Sequence, residues 1–226
     1  TYSQKAERDG IRLADLDWEE KWNDLDDSDK EFLNQYKEKL ISMRVDIASK
    51  MYEFKNENIL FEGAQGAMLD IDSGTYPYVS SGASGSYGAA SGSGIGPRAI
   101  DKVYGVFKAY QTRVGNGPMP TEFNEDSEGE LCDYVRKTGN EFGVTTGRAR
   151  RCGYLDLVAL RYACHVNSID SLVLTHLDVY DQMEEIEACI AYEIDGQIVT
   201  DFPASIPLIQ KAKPVLQKFK GWKSPI

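Results

Sequence analysis

The sequence contains no apolar run approaching the roughly 20 residues a helix needs to cross a bilayer, so no membrane span and no membrane partner are expected. Histidine is scarce: His165 and His176 are the only two, too few for a multi-histidine metal site. The four cysteines, Cys132, Cys152, Cys164 and Cys189, stand far apart and form no CxxC pair. With no secretory leader legible, they read as reduced thiols of a cytoplasmic protein, not as a disulfide frame or zinc site. Positive charge is in deficit, with 25 Lys and Arg against 36 Asp and Glu and a net charge of -11. That balance argues against nucleic acid or an anionic membrane surface as a partner. It leaves room for small anionic substrates, which a local arginine cluster grips against an acidic background. The chain opens on Thr1 instead of Met, which predicts a fragment or a processed chain.

At 226 residues, 42% of them hydrophobic, there is enough chain for one substantial core or two modest ones. Residues 1–27 are polar, with Trp18 and Trp22 at helical spacing, and predict a short helix. Ser28 and Glu31 form a capping box ahead of Leu33, Tyr36, Leu40, Met43, Ile47, Met51 and Phe54, a pattern that predicts one amphipathic helix over 29–55. Ile59-Leu60-Phe61 reads as a short buried strand, and 103–110 as another. A second capping box, Ser127 and Glu130, predicts a helix ending near residue 142. A third helix is expected over 153–167, a buried strand at Leu172-Val173-Leu174, and a strand over 186–194 closed by an Asp195-Gly196 hairpin turn. Alternating strands and helices predict an α/β fold, with a helical segment at 1–57 and an α/β part at 58–226. No internal repeat is found. The Gly/Ser-rich stretch 82–96 fits a flexible linker by composition alone.

Several segments carry chemistry. Gln65 lies in Phe61-Glu62-Gly63-Ala64-Gln65-Gly66, directly after the expected strand, where α/β sheets place ligands. Its amide both donates and accepts, as purine recognition requires. The alternative is a tight turn with a surface glutamine. Asp70 and Asp72 have a spacing that suggests a metal site, but two acids are too few ligands, and both are read as structural. Residues 144–153 hold Arg148, Arg150 and Arg151 and no acid. Arginine forks bind carboxylates and phosphates bidentately, and Gly147 with its neighbouring threonines suits a loop that closes over an anionic substrate. The competing reading is a solvated basic loop paired with surface acids. Asp178, in Thr175-His176-Leu177-Asp178, follows an expected strand; without further context it belongs to an ordinary strand-end turn.

These segments are similar, in order and in register, to those of adenylosuccinate synthetases. FEGAQG at 61–66 and LDIDSGTYPYV at 69–79 are close to a signature of that family. KAYQTRVGNGPMPTE at 108–122 resembles its KAYxTRVGxGPFPTE, and NEFGVTTGRARRCGYLD at 140–156 its NEFGxTTGRxRRxGWLD. YSQKAERDGIR at 2–12 resembles the segment that follows the family's GRGIGP run. The likeness covers nearly the whole chain, with one small insertion near residues 124–130.

The resemblance implies a fold, a reaction and residue roles. The fold is α/β, part of a P-loop-like mixed or parallel sheet with surrounding helices, without the N-terminal phosphate-loop portion. The reaction is GTP-dependent joining of L-aspartate to IMP, with Mg²⁺ held by residues outside this chain and no metal ligand within it. Gln65, Ser80, Val114, Arg148 and Arg8 are implied for IMP, Gln65 also as the catalytic residue, and Arg8 by reaching across a homodimer interface. Thr145, Thr146 and Arg148 are implied for aspartate, and Arg150, His176 and Asp178 for GTP. A carboxylate at Asp178 accepts from both guanine N1–H and the 2-amino group, a donor pair adenine lacks.

Three departures stand out. His176 replaces the lysine of the family's TKLD. The family's N-terminal phosphate loop and catalytic histidine are not found, and its last portion also falls outside, so this chain alone is expected not to turn over substrate. The family's loop, close to TSSNTTAGGVATGSG, reads SSGASGSYGAASGSG at 80–94, with Ala83 for Asn and Gly85 for Thr. Smaller side chains beside a purine suggest dGMP as an alternative acceptor to IMP. With IMP retained, the Gly/Ser content reads as a phosphate-cradling backbone rather than a linker. A non-catalytic nucleotide-binding or oligomerisation fragment is the remaining alternative.

Overall fold

The computed structural model describes residues 22–143 and 147–226. The chain divides into two compact units, Thr1–Lys50 and Met51–Ile226. The short helix expected within 1–27 falls almost wholly outside the described residues.

In the first unit, helix α1 spans Asp27–Ser42. Its N-cap is Asp26, ahead of the expected cap Ser28: the Asp26 carboxylate accepts from Asp29 N at 2.8 Å and from the Ser28 hydroxyl at 2.7 Å. The single helix expected over 29–55 is broken. Asp46 starts helix α2, Ile47–Glu53, by accepting from Ala48 N at 3.1 Å and Ser49 Oγ at 2.6 Å. An aspartate that caps the backbone locally competes with helix continuation, and here the cap prevails over the apolar periodicity.

In the second unit, strands β1 (Tyr104–Lys108), β2 (Tyr110–Arg113), β3 (Arg151–Asp156), β4 (Ser171–Thr175), β5 (Glu185–Ile194), β6 (Gln197–Val199) and β7 (Lys213–Lys220) build two sheets. β1 and β4 form a parallel pair, with Lys108 opposite Thr175. The other sheet runs β2-β3-β5-β6, with β7 on β5, and mixes antiparallel pairs with a parallel β3–β5 pair. Helices α3 (Tyr87–Ser93), α4 (Glu125–Thr138), α5 (Leu157–Asn167) and α6 (Ile206–Lys211) complete this mixed α/β unit.

The expected strand 103–110 is two strands in two sheets, divided at Ala109, whose N–H donates to Thr175 O at 2.9 Å. Helix α4 starts earlier than expected. Asn124 is its cap, accepting from Asp126 N at 2.9 Å, and Asn124 N donates to Glu128 Oε2 at 2.8 Å; the helix ends at Thr138, short of residue 142. The third helix begins only at Leu157, because Asp156 caps it through Ala159 N at 2.9 Å and residues 151–156 are strand β3. Ile59-Leu60-Phe61 is not a strand, and Leu60 is 89% exposed; no strand among the described residues pairs with it. Leu172-Val173-Leu174 is a strand but is exposed, not buried. The Asp195-Gly196 turn is as expected: both residues have positive φ, +51° and +80°, and Ile194 faces Gln197 across a two-residue type I′ hairpin.

One core cluster gathers Tyr110, Phe123, Cys132, Val135, Cys152, Tyr154, Val179 and Tyr180 between α4 and the start of the larger sheet. A second joins Val158, Cys189, Tyr192 and Ile194 under α5. Burial pushes the Cys152 thiol up to about 11 and Cys189 to about 12, so both are inert structural thiols.

Candidate active site

The segment after Phe61 folds around one carboxylate. Asp70 is fully buried. Its Oδ1 accepts from Asp72 N at 2.9 Å, Ser73 N at 2.8 Å and the Tyr87 hydroxyl; its Oδ2 accepts from Ser84 N at 2.7 Å and Gly85 N at 3.0 Å. Burial by itself would raise its pKa, but hydrogen bonds from Tyr87, Ser73, Asp72 and Gly85 outweigh that and hold the carboxyl well below the usual range. Asp70 is thus a scaffold for the loop and not a metal ligand. Among the described residues no group of three or more His, Cys, Asp or Glu is arranged to hold a metal ion.

Residues 82–96 are not a linker, since Asp70 and Asn167 pin their start. Asn167 Oδ1 accepts from Ser86 N at 2.7 Å, and its carbonyl accepts from Ser86 Oγ at 2.9 Å. The expected phosphate cradle needs correction too. The amides of 84, 85 and 86 already serve Asp70 and Asn167. Nor does Gly85 open space beside a base: a Cβ there would come within 2.5 Å of Tyr87 Cε1, so the tyrosine ring fills that volume. Ser80 is also engaged, its hydroxyl donating to Leu69 O at 2.9 Å. Gln65 sits exposed at φ +65°, and its side chain makes no hydrogen bond among the described residues.

Strand β2 ties this segment to the larger sheet. Arg113 is buried and donates to Thr75 Oγ1 at 3.0 Å, Tyr78 O at 2.9 Å and Asn116 O at 3.1 Å. Val114 follows, 68% exposed, just beyond the Arg113–Arg151 register pair. Arg151, one of the three loop arginines, is committed to structure through Glu122 and the carbonyls of Gly115 and Gly117.

Glu141 anchors the arginine-bearing loop. It is 1% exposed, and it accepts from Lys108 Nζ at 2.5 Å, the Tyr110 hydroxyl at 2.6 Å and Arg150 Nη1 at 2.7 Å. Burial pushes its pKa up, but these three partners outweigh that and hold it below its ordinary value. A bridge between Phe142 and Ala149, with Gly143 N donating to Arg148 O at 2.8 Å, closes the loop's neck. Arg148 is exposed on that loop. Thr145 and Thr146 lie outside the described residues, as does Arg8. Arg150 spends one guanidinium nitrogen on Glu141.

His176 and Asp178 stand at the carboxyl end of β4, beside the end of β1, the edge where parallel strands present ligands. Both are exposed. His176 holds φ +56° and lies 3.1 Å from the Tyr110 hydroxyl through Nδ1. The structure therefore links Arg150 to His176 through Glu141 and Tyr110. Gln65 and Ser80 belong to the separate Asp70 segment, which Arg113 fastens to β2. Lys108, Tyr110 and Glu141 had no role in the sequence reading. Their only signal is membership of the KAY and NEF runs, because the contacts that join Lys108, Tyr110, Glu141 and His176 span 31 to 66 residues.

Comparison with known proteins places the chain in a family. A family model of adenylosuccinate synthetase matches residues 23–226. The adenylosuccinate synthetase of Gloeothece citriformis (strain PCC 7424) is 46% identical over 99% of this chain and 54% of its own length. That of Picosynechococcus sp. (strain ATCC 27264 / PCC 7002 / PR-6) is 47% identical over 100% of this chain and 55% of its own. The solved structure of fully ligated adenylosuccinate synthetase from Plasmodium falciparum superposes with a TM-score of 0.84 at 39% identity, covering 100% of this chain and 58% of that one. The chain spans about half the length of the curated relatives it matches. It belongs to the adenylosuccinate synthetase family.

Proposed function

We propose that the protein is a GTP-dependent C–N ligase of purine nucleotide synthesis, joining L-aspartate to IMP on the route to AMP. The observation that carries this reading is the linkage of an arginine-bearing loop, through Glu141 and Tyr110, to His176 and Asp178 at the carboxyl edge of β1 and β4.

In the proposed reaction IMP gives up its N1 proton to a base outside the described residues, the 6-oxygen attacks the γ-phosphorus of GTP, and GDP leaves. The aspartate amine then attacks C6, phosphate departs with the former 6-oxygen, and the amine gives up a proton. Such transfers are governed by positioning and charge stabilisation. Asp178 accepts from guanine N1–H and the 2-amino group, with His176 beside the base and Arg150 toward the triphosphate. Arg148, with Thr145 and Thr146, holds the aspartate carboxylates by bidentate hydrogen bonds. Gln65, Ser80, Val114 and Arg148 contact IMP, with the Gln65 amide at the reacting purine edge. Mg²⁺ would screen the charge of the triphosphate when bound; among the described residues no acid cluster is fitted to hold it.

We further propose a homodimer, with Arg8 reaching the partner's site, and a cytoplasmic protein with free cysteines; no described helix is long and apolar enough to cross a membrane. The test is phosphate release by the full-length protein with GTP and aspartate, offering IMP or dGMP. Release with IMP supports the reading, release with dGMP alone replaces the acceptor, and release with neither leaves a nucleotide-binding fragment. Asp178→Asn should weaken GTP by about tenfold or more, since an amide cannot accept both guanine donors.

A further inference from the structure

Glu141 is buried and ionised, it gathers Lys108 and Tyr110 from another part of the chain to Arg150 on its own loop, and no step of the reaction above uses it. Its two oxygens divide the work. Oε2 accepts from Arg150 at 2.7 Å, at the root of the arginine-bearing loop. Oε1 accepts from Lys108 at 2.5 Å and from the Tyr110 hydroxyl at 2.6 Å. A phenol has one proton. Tyr110 gives it to Glu141, and burial together with Glu141 raises the tyrosine's pKa, so that proton stays in place. The phenolic oxygen then has only lone pairs to offer His176, whose Nδ1 lies 3.1 Å away. His176 Nδ1 must therefore carry the hydrogen of this contact, which selects the tautomer whose acceptor is Nε2. The tyrosine and histidine rings meet edge to face at 88°, which restricts the imidazole further.

From this we propose that Glu141 and Tyr110 are positioning residues: the relay Glu141–Tyr110–His176 fixes the tautomer and orientation of His176 at the nucleotide base, and the same carboxylate couples that base site to the aspartate-binding loop. The proposal rests on the ligase reading above. It also accounts for the replacement of a lysine by His176. A flexible cation needs no partner, whereas an imidazole acts in one defined hydrogen-bonding state only when its second nitrogen is held.

Two variants of the full-length protein separate the arms. Tyr110→Phe keeps the ring and the Glu141–Lys108–Arg150 contacts but removes the relay. It should raise KM for GTP by about 3- to 10-fold, the scale of one hydrogen bond, and leave KM for aspartate unchanged. Glu141→Gln should raise KM for both GTP and aspartate. If Glu141→Gln does not fold, Tyr110→Phe still decides the base-site arm, and Arg150→Met, which loses the Glu141 contact at the root of the loop as well as its place toward the triphosphate, should raise KM for aspartate together with KM for GTP; an unchanged KM for aspartate overturns the loop arm. A merely structural role would lower melting temperature with both KM values intact, and that result overturns the proposal.

A second readout needs no turnover. Long-range ¹H–¹⁵N spectra, with His176 assigned by His176→Asn, should show a protonated Nδ1 that is lost in Tyr110→Phe. An unprotonated Nδ1 in the parent protein overturns the relay whatever the kinetics. If the parent protein shows no GTP-dependent ligation but Nδ1 is protonated, the ligase reading fails and the relay stands.

Discussion

The ring of Tyr87 occupies the volume that any side chain on residue 85 would need. A Cβ on Gly85 would lie 2.5 Å from Tyr87 Cε1 and 2.8 Å from Asn167 Oδ1. Neither neighbour is free to swing aside: the tyrosine hydroxyl is bonded to Asp70, and Asn167 Oδ1 accepts from Ser86 N. Gly85 and Tyr87 are therefore a matched pair. Gly85→Ala should lower stability by about 1–3 kcal/mol, the usual cost of overpacking. In a Tyr87→Ala background the same change should cost far less. A double-mutant cycle on urea midpoints measures the coupling; additive effects would mean that the ring does not set the requirement for glycine.

Asp70 predicts a specific acid response. Its folded pKa is depressed, so its contribution is complete above the unfolded value of about 3.9 and is lost as pH falls toward the folded value. Asp70→Asn should cost about 2–4 kcal/mol at pH 7, because an amide nitrogen would face N–H donors. The gap between parent and variant should narrow progressively below pH 5. Urea unfolding at pH 7, 5 and 3 reads this directly, and a gap independent of pH would contradict the assignment.

Asp156 is the opposite case. It is 2% exposed, caps α5 through Ala159 N, and accepts from the Tyr192 hydroxyl at 2.5 Å. Burial raises its pKa more than the bonds from Ala159, Tyr192 and Val158 lower it. A raised folded value means a contribution present below the unfolded pKa and lost as pH rises through the folded one. Asp156→Asn retains a capping oxygen without the charge. Its stability relative to the parent should therefore improve from pH 4 to pH 8, as read from paired thermal melts. A relative loss over that interval would show that the carboxylate is stabilised where it stands.

The elements legible in the sequence are those whose signals are local. The Asp195-Gly196 turn follows from two adjacent residues that dictate φ, and strand β5 from the apolar-rich run that leads into it. The helix break at Asp46 is not legible because the apolar repeat runs on across it, and the lack of a strand at 59–61 is not legible because apolar composition says nothing about a pairing strand. Strand β3 was hidden inside an expected helix. Its register depends on distant partners: Gly153 packs flat against the Thr121 carbonyl, and Arg151 faces Arg113. The candidate site divides in the same way. Arg148, His176 and Asp178 were legible in their motifs, whereas the carboxylate that joins the two sides is visible only once Lys108, Tyr110, Arg150 and His176 have been folded together.

Arg113 supplies the last prediction. It is a buried arginine that meets no carboxylate among the described residues: its donors go to Thr75 Oγ1 and the carbonyls of Tyr78 and Asn116. Burial is the main cause of its lowered pKa, with Arg151 adding to it. The three contacts hold the Asp70 segment, with Ser80, against the end of β2, with Val114. A lysine has the charge but not the planar fork that reaches oxygens on both sides. Arg113→Lys should therefore cost about 2–3 kcal/mol of stability through lost hydrogen bonds and an unmatched buried cation. Because Ser80 and Val114 are the proposed IMP contacts and Asp178 lies on a different element, KM for IMP should rise while KM for GTP stays within error. Steady-state kinetics of the full-length variant at a temperature well below its melting point decide this. Equal rises in both constants would mean that Arg113 supports the whole fold and not the IMP side.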